Sequence, residues 1–260
     1  VAYIKLSGFN NGTTDALREK IAEAQLEIGD ALRGYILDLR GNPGGLLEQA
    51  VSVSDVFVTD GRIVSTHGRH SNSHQYFRSE RTERGDLTND APLVVLIDGD
   101  SASASEIVAA ALQDSGRAVL VGSTSFGKGT VQTVLELRNT GELILTWARF
   151  HAPSGYALHR RGVLPDICTT GEVSGPDDVM TLINSGALPI AAELRRLAVD
   201  TNDEAAVEEL RAHCPSREGD AEIDLEVARQ LRQDRHQPAR AQRVTPDKKA
   251  ISHELLAASG

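Results

Sequence analysis

The chain has 260 residues, of which 40% are apolar, and a formal net charge of −10. This length is enough for one large domain or two small ones with a sizeable core. The negative charge argues against a nucleic-acid surface, because phosphate binding needs a basic footprint. No apolar run approaches the ~18 residues of a membrane span. No signal peptide precedes the strand-like run at residues 1–6. Its absence says little about localisation, because a sequence that lacks its upstream part also lacks its leader.

Strands and helices alternate through residues 1–170, where apolar residues recur with both periods. The pattern predicts strands at 3–6, 35–39, 62–66, 93–97, 118–121, 130–137 and 142–150. It predicts helices after residue 13, at 46–57 and at 104–113, and a hairpin around residues 139–141. This order is typical of an α/β fold with a mixed sheet covered by helices.

The composition changes after residue 170, where charged, Ala/Leu-rich segments alternate with Pro and Gly. These segments predict short amphipathic helices at 176–183, 189–198, 203–213 and 222–233. Residues 233–249 are too polar to hold a core, which predicts a flexible linker. We therefore expect a core at 1–170 and a helical C-terminal extension at 171–260.

A serine turn followed by a lysine loop is the most informative feature of the chain. Residues 98–132 read DGDSASASEIVAAALQDSGRAVLVGSTSFGKGTVQ, so that Ser101, Ser103 and Ser105 enter a helix and a Gly-flanked loop later presents Lys128. A serine hydroxyl needs a base within hydrogen-bond reach, and a neutral lysine can serve. The pattern predicts a Ser/Lys hydrolase. Local chemistry does not choose among the serines, which are also good helix caps.

For Lys128 to act as a base, its pKa must fall from the usual ~10.4. Burial against apolar groups has this effect because it disfavours the charged form. Phe126 and the strand at 119–121 are the apolar neighbours that we expect. The alternative is a solvated loop lysine without a chemical role.

Four motifs carry a resemblance to a known family: DLRGNPGGLLEQAV, SASASEIVAAALQD, SFGKGTVQ and RFHAPSGYALHRRGVLPDI. In this order they resemble the core motifs of the C-terminal processing peptidases, also called tail-specific proteases, and they cover the chain to about residue 167. The resemblance implies a crotonase-like ββα superhelix for residues 1–170, followed by a small helical extension. It also implies a serine endopeptidase that acts on polypeptides in the periplasm or envelope without a metal or organic cofactor. The oligomeric state is left open.

The resemblance also assigns roles to individual residues. Ser103, the middle serine of its run, corresponds to the family's nucleophile and Lys128 to its general base. Gln132 corresponds to a residue that orients the pair by hydrogen bonding. The alternative for Gln132 is a polar side chain on an exposed strand.

An oxyanion hole is implied by the same motifs. Ala104 N–H lies next to the nucleophile at a helix N-terminus, where free N–H groups stabilise negative charge. The resemblance implies a second donor at Gly44 or Gly45, in the turn Gly-Asn-Pro-Gly-Gly at residues 41–45. That turn is also explained as a tight strand–helix connection.

The sequence departs from the family pattern in several places. Asp100 stands where similar proteins usually have Gly, and His151, Tyr156 and His159 replace more usual residues. These changes affect the expected substrate preference more than the chemistry. Similar proteins usually carry a PDZ domain just before the core, and this chain begins at the first strand of the core. Peptide can still add as a strand to a sheet edge.

Two other functions are compatible with the sequence. The first is a non-catalytic peptide- or ligand-binding module on the same fold, because fold does not fix function. The second is nucleotide binding, because residues 122–129 read GSTSFGKG, close to a phosphate-binding loop. Against it, residue 129 is Gly where a hydroxyl is needed, and a strand pattern follows where the phosphates require a helix N-terminus. We expect no nucleotide.

Histidines and cysteines give weaker signals. His67, His70 and His74 lie in a polar segment that we expect to lack an ordered strand or helix, so no metal site is predicted. Cys168 and Cys214 are compatible with a disulfide in an oxidising compartment, but we interpret each as a small buried or half-buried side chain.

Overall fold

The computed structural model describes residues 1–79, 85–138, 141–171, 173–186, 194, 200–219 and 221–233. The strands are β1 (Ala2–Lys5), β2 (Tyr35–Asp38), β3 (Arg62–Gly68), β4 (Gln75–Arg78), β5 (Leu93–Ile97), β6 (Ala118–Gly122), β7 (Thr130–Leu137), β8 (Gly141–His151) and β9 (Ile167–Cys168). The helices are α1 (Thr13–Ile28), α2 (Leu47–Asp55), α3 (Ala104–Asp114), α4 (Pro176–Ser185), α5 (Glu204–Ala212) and α6 (Glu222–Gln233). Short 3-10 turns lie at Gly29–Ala31 and Ser71–Ser73.

A five-stranded parallel sheet, in the order β1-β2-β5-β6-β9, forms the centre of the protein. Its central strands β2 and β5 are buried along their whole length. Alternate residues face opposite sides, so Leu37 and Val95 pack with α1, α2 and α3, while Ile36 and Val94 pack with α4 and α6. Burial on both faces explains why these strands read as continuous apolar runs. The predicted α/β class is confirmed.

A second, antiparallel sheet has the order β4-β3-β8-β7. Its β7–β8 hairpin matches the predicted strands, although residues 139 and 140 at its turn lie outside the described residues. Leu135, Ile144 and Trp147 are among several large apolar side chains that the hairpin exposes. β7 is the edge strand that follows the lysine loop directly.

The polar segment after residue 66 is more ordered than predicted, because it contains the end of β3 and all of β4. The His67 ring stacks on His151 of β8, with 4.4 Å between centroids, and lies 5.1 Å from the His74 ring. Burial lowers the pKa of both His67 and His151, and the charges on neighbouring His and Arg side chains add to the effect. Within the described ranges, no group of three or more His, Cys, Asp or Glu side chains is arranged to hold a metal ion.

Three of the four predicted C-terminal helices are observed, as α4, α5 and α6. The fourth, at 189–198, lies outside the described residues apart from 194, and the predicted linker lies outside them beyond 233. Cys214 is buried and Cys168 half-buried, as interpreted. The two form a disulfide, a pairing that the sequence left open. None of the helices in the described residues is long and apolar enough to cross a membrane.

A buried ion network joins the core to α6. Arg40 donates to Asp38 of β2 through Nη2, at 2.6 Å, and through Nε, at 2.9 Å. Its Nη1 lies 3.3 Å from Oδ2 of Asp224, which also pairs with Arg217 at 2.7 Å. Burial alone raises the pKa of Asp38, but the hydrogen bonds from Arg40 and Tyr3 outweigh it and leave that pKa below its ordinary value.

Replacing Arg40 with Ala removes the cation between two buried carboxylates, those of Asp38 and Asp224. We expect the free energy of unfolding, measured by urea denaturation, to fall by about 3–5 kcal/mol, because a buried charge is left uncompensated. Arg18→Ala is the matched control, because Arg18 pairs with Asp15 at the surface, and it should cost less than about 1 kcal/mol. Equal losses in the two variants would show that the network contributes no more than a surface pair.

Candidate active site

Three loops meet at the carboxyl edge of the parallel sheet. A glycine turn, residues 41–45, follows β2; the serine turn, residues 98–103, follows β5; and the lysine loop, residues 123–129, follows β6. Because these three strands are adjacent and parallel, their ends lie side by side. This topology brings together segments that are far apart in the sequence.

Hydrogen bonds distinguish the three serines. Ser101 Oγ donates to Leu39 O, at 2.9 Å, and Ser105 Oγ donates to Asn42 O, also at 2.9 Å. Both of these serines are fully buried, whereas Ser103 is partly exposed. Ser103 is therefore the serine of this run that is not fully buried.

The backbone at Ser103 is strained. Its φ of 56° and ψ of −111° lie in a region that side-chain-bearing residues rarely adopt. The glycine turn packs closely against it, since a Cβ on Gly44 would lie 2.6 Å from Ala102 O and 2.9 Å from Ala104 N. Only glycine fits at position 44, and the turn is thereby held against the start of α3.

The N–H groups around Ser103 differ in availability. Ala104 N–H, the first of α3, has no hydrogen-bond partner in the described part of the chain. Gly44 N–H already donates to Asn42 Oδ1, at 2.9 Å, whereas Gly45 N–H has no partner among the same residues. Of the two glycines that the sequence left open, Gly45 is therefore the one whose N–H is unpartnered in the described residues.

Asn42, which sequence reasoning passed over, connects the glycine turn to the serine turn. Its backbone carbonyl accepts from Ala102 N at 3.0 Å and from Ser105 Oγ. Its side chain donates to Leu6 O at 2.8 Å and is fully buried. The motif Gly-Asn-Pro-Gly-Gly marks a turn, but these partners lie far away in the sequence, so the connection was not visible there.

Glu106 is the other residue that sequence reasoning missed. Its buried carboxylate accepts hydrogen bonds from Ser103 N (2.8 Å), Lys128 N (2.8 Å), Gly127 N (2.7 Å) and Ser125 Oγ (2.5 Å). Burial raises the pKa of Glu106, and the four donors oppose that rise. One sequence signal was available, because Ser103 and Glu106 have the Ser-x-x-Glu spacing of a capping box.

The Lys128 side chain does not have the apolar surroundings that we expected. It is exposed, and Phe126 is 59% exposed beside it. In the described part of the chain no hydrogen bond joins Lys128 Nζ to Ser103 Oγ, and Gln132 Nε2 donates to Thr146 Oγ1 instead, at 3.0 Å. The structure therefore fixes the backbone of the lysine loop next to Ser103 without pairing the two side chains.

A cavity of about 470 Å³ borders Lys128. Its lining includes Phe126 and His159, together with Val207 and Arg211 of α5. Strand β7 follows the lysine loop, where a phosphate-binding loop would be followed by a helix. The lysine loop therefore does not have the strand–loop–helix order of a phosphate-binding loop.

The strain at Ser103 can be measured by comparing Ser103→Gly with Ser103→Ala. Both variants lack the hydroxyl, but glycine tolerates the observed φ and alanine does not. We expect the glycine variant to be more stable to urea by about 1–3 kcal/mol. The same exchange at the exposed helical position Glu19 should favour alanine by about 1 kcal/mol. A less stable glycine variant at position 103 would show that the backbone there is unstrained.

Replacing Glu106 with Gln should destabilise the protein. The amide keeps one acceptor oxygen but puts an NH₂ group against N–H donors, so buried donors lose their partners. We expect a loss of about 1–3 kcal/mol in the free energy of unfolding for each donor left unpaired. Glu48→Gln, at an exposed position in the first turn of α2, is the control and should change stability by less than about 0.5 kcal/mol. No difference between the variants would contradict the role given to Glu106.

Comparison with known proteins gives the family. The sequence model of Peptidase family S41 matches residues 1–169. The carboxy-terminal-processing protease of Bartonella bacilliformis is 49% identical over 168 residues, which are 64% of this chain and 38% of that protein. The carboxy-terminal processing protease CtpA of Bacillus subtilis is 36% identical over 64% of this chain and 34% of its own length. The chain thus spans about two fifths, or less, of these relatives.

Solved structures agree with this assignment. The photosystem II D1 C-terminal processing protease superposes with a TM-score of 0.56 and 34% identity, covering 63% of this chain and 41% of that one. Mature CPAF, at 12% identity and a TM-score of 0.51 over 63% of this chain and 45% of its own, shares the fold. The predicted resemblance is confirmed, and the chain belongs to peptidase family S41.

Proposed function

We propose that this chain is the catalytic core of a serine endopeptidase in which Ser103 is the nucleophile and Lys128 the general base. The observation that carries the proposal is the Glu106 carboxylate, which accepts from Ser103 N and Lys128 N at 2.8 Å each. One buried group thus sets the backbone of both residues. Ser103 is the partly exposed serine of its run, and Ala104 N–H beside it is unpartnered in the described residues.

The proposed reaction follows from these positions. Lys128, when neutral, takes the proton of Ser103 Oγ, and the oxygen attacks a peptide carbonyl. Ala104 N–H and a glycine N–H, at Gly44 or Gly45, stabilise the oxyanion. The tetrahedral intermediate collapses, the C–N bond breaks, and the amine leaves with the lysine's proton. Water activated by Lys128 then hydrolyses the acyl-enzyme. Gln132 is proposed to orient the pair once substrate is bound.

The open position of Lys128 is compatible with this reaction. Catalytic hydrogen bonds are often long before substrate binds and tighten only in the complex. A polypeptide lying over the cavity beside Lys128 would shield the Lys128 side chain from water. The edge strand β7, which begins two residues after Lys128, offers backbone groups to which an extended substrate can add. We therefore propose unfolded or C-terminally exposed polypeptides as substrates.

The proposed compartment is the periplasm or another part of the envelope. The Cys168–Cys214 disulfide supports it, because such bonds persist in oxidising environments. We further propose that residues 1–170 are the peptidase core and residues 171–260 an extension of it.

Cleavage of an unfolded protein substrate by the wild type, Ser103→Ala and Lys128→Ala, between pH 6 and 10, tests the proposal. We expect either substitution to lower kcat/KM by about 10²–10⁴-fold or more. The wild-type rate should rise with pH across this range, because the mechanism needs a proton acceptor in its neutral form. Lys20→Ala, at an exposed position of α1, is the control and should keep full activity.

Two results would contradict the proposed mechanism. Full activity in Lys128→Ala together with inactive Ser103→Ala would require another base. No cleavage by the wild type, with retained binding of unfolded polypeptide, would favour the non-catalytic binding module.

A further inference from the structure

The last two residues of α5 and the segment that follows them, together residues 211–217, lie across the lysine loop, and we call this stretch the strap. We propose that the strap, through Arg211 and the Cys168–Cys214 disulfide, positions the lysine loop for catalysis, so that activity depends on the oxidised state of this disulfide. The inference rests on the proposed function. The strap lies beyond the part of the chain that matches the family, which ends at residue 169.

The lysine loop has no regular structure of its own. Residues 124–129 belong to neither a helix nor a strand, so their backbone groups depend on partners from elsewhere. Glu106 supplies acceptors for the N–H groups of Gly127 and Lys128. The carbonyl groups nearer the start of the loop are held by the strap.

Thr124 is held by the strap through two hydrogen bonds. Its hydroxyl donates to Cys214 O, and its carbonyl accepts from Ser216 Oγ, both at 2.6 Å. Before it in the loop, Ser123 Oγ accepts from Arg217 N at 3.0 Å. The strap also reaches the serine turn, because Gly99 N donates to Arg217 O at 2.7 Å.

Arg211 forms a hydrogen bond with Ser125, the next residue of the loop. Its Nη1 donates to Ser125 O at 2.9 Å and to Arg161 O at 3.0 Å. The hydroxyl of the same Ser125 donates to Glu106. Ser125 is therefore fixed from two sides, by a carboxylate of α3 and by a guanidinium of the strap. Arg211 also lines the cavity beside Lys128. Replacing Arg211 should therefore disturb the part of the loop that carries the proposed base.

Cys214 and Arg217 anchor the strap to the parallel sheet and to α6. The disulfide joins Cys214 to Cys168 of β9 across a sequence separation of 46 residues. Arg217 pairs with the buried Asp224 at 2.7 Å and donates to Thr169 O at 3.0 Å. Without the disulfide, the covalent link between the strap and β9 is lost, and the described residues hold the strap by non-covalent contacts such as these. Small displacements of a catalytic group reduce rates steeply, so a loosened loop should lower kcat before it affects folding.

The first experiment compares the wild type with Arg211→Ala, Arg211→Lys and the control Arg229→Ala, whose side chain is exposed on α6. Steady-state cleavage of the unfolded substrate gives kcat and KM, and amide hydrogen exchange reports on residues 123–129. For Arg211→Ala we expect kcat to fall about tenfold or more, KM to change less than about twofold, and the loop to exchange faster. Lysine, which can still reach one carbonyl, should restore part of kcat and part of the protection.

The second experiment tests the disulfide in the full chain with dithiothreitol. Reduction of the wild type should lower kcat and speed exchange in residues 123–129, and reoxidation should reverse both. The double variant Cys168→Ser/Cys214→Ser should show the low kcat with or without reductant. Unfolding curves in urea establish that each sample is folded at the assay temperature.

The outcomes separate this inference from the proposed function. If the wild type does not cleave, the proposed function fails for this chain. The exchange measurements alone then test whether the strap holds the lysine loop in position. The inference is overturned if residues 123–129 keep wild-type protection in Arg211→Ala and after reduction. It is also overturned if the loop loosens in either case while kcat remains unchanged.

Discussion

The candidate site depends on one buried carboxylate. Glu106 accepts four hydrogen bonds, and their donors come from the serine turn and the lysine loop, which are separated by a helix and a strand. A buried carboxylate is tolerated only when its oxygens are satisfied, so the fold is most stable when both segments lie where they can donate. The hydrogen-bonding requirement of the Glu106 carboxylate thus positions the backbone of Ser103 and Lys128, the two catalytic candidates.

The parallel sheet makes this arrangement possible. Adjacent parallel strands end at one edge, and the turns after β2, β5 and β6 therefore meet there. Gly44 packs closely against the start of α3, and Asn42 O accepts a hydrogen bond from Ala102 N. These contacts hold the glycine turn against the serine turn. The positive φ of Ser103 is the strained point in this arrangement, and the surrounding hydrogen bonds hold it.

The C-terminal extension completes the arrangement from outside. The strap contacts the lysine loop and the serine turn, while the disulfide and the Arg40–Asp224–Arg217 network fasten it and α6 to the sheet. Each of these bonds has at least one partner beyond the family-matching part of the chain, which ends at residue 169. Relatives that share the core motifs need not share this control over the lysine loop.

The sequence by itself determined the α/β class, most strand and helix bounds, the family, and the candidate residues Ser103 and Lys128. These follow from local periodicity and from motifs that are contiguous in the chain. The tertiary structure alone decided that Ser103 is the partly exposed serine of its run and that Gly44 N–H donates to Asn42 Oδ1. It also decided that Lys128 is exposed and that Cys168 pairs with Cys214. Each of these depends on burial or on hydrogen bonds between segments far apart in sequence. Such contacts are set by how the strands are ordered in the sheet, and no local pattern encodes that order.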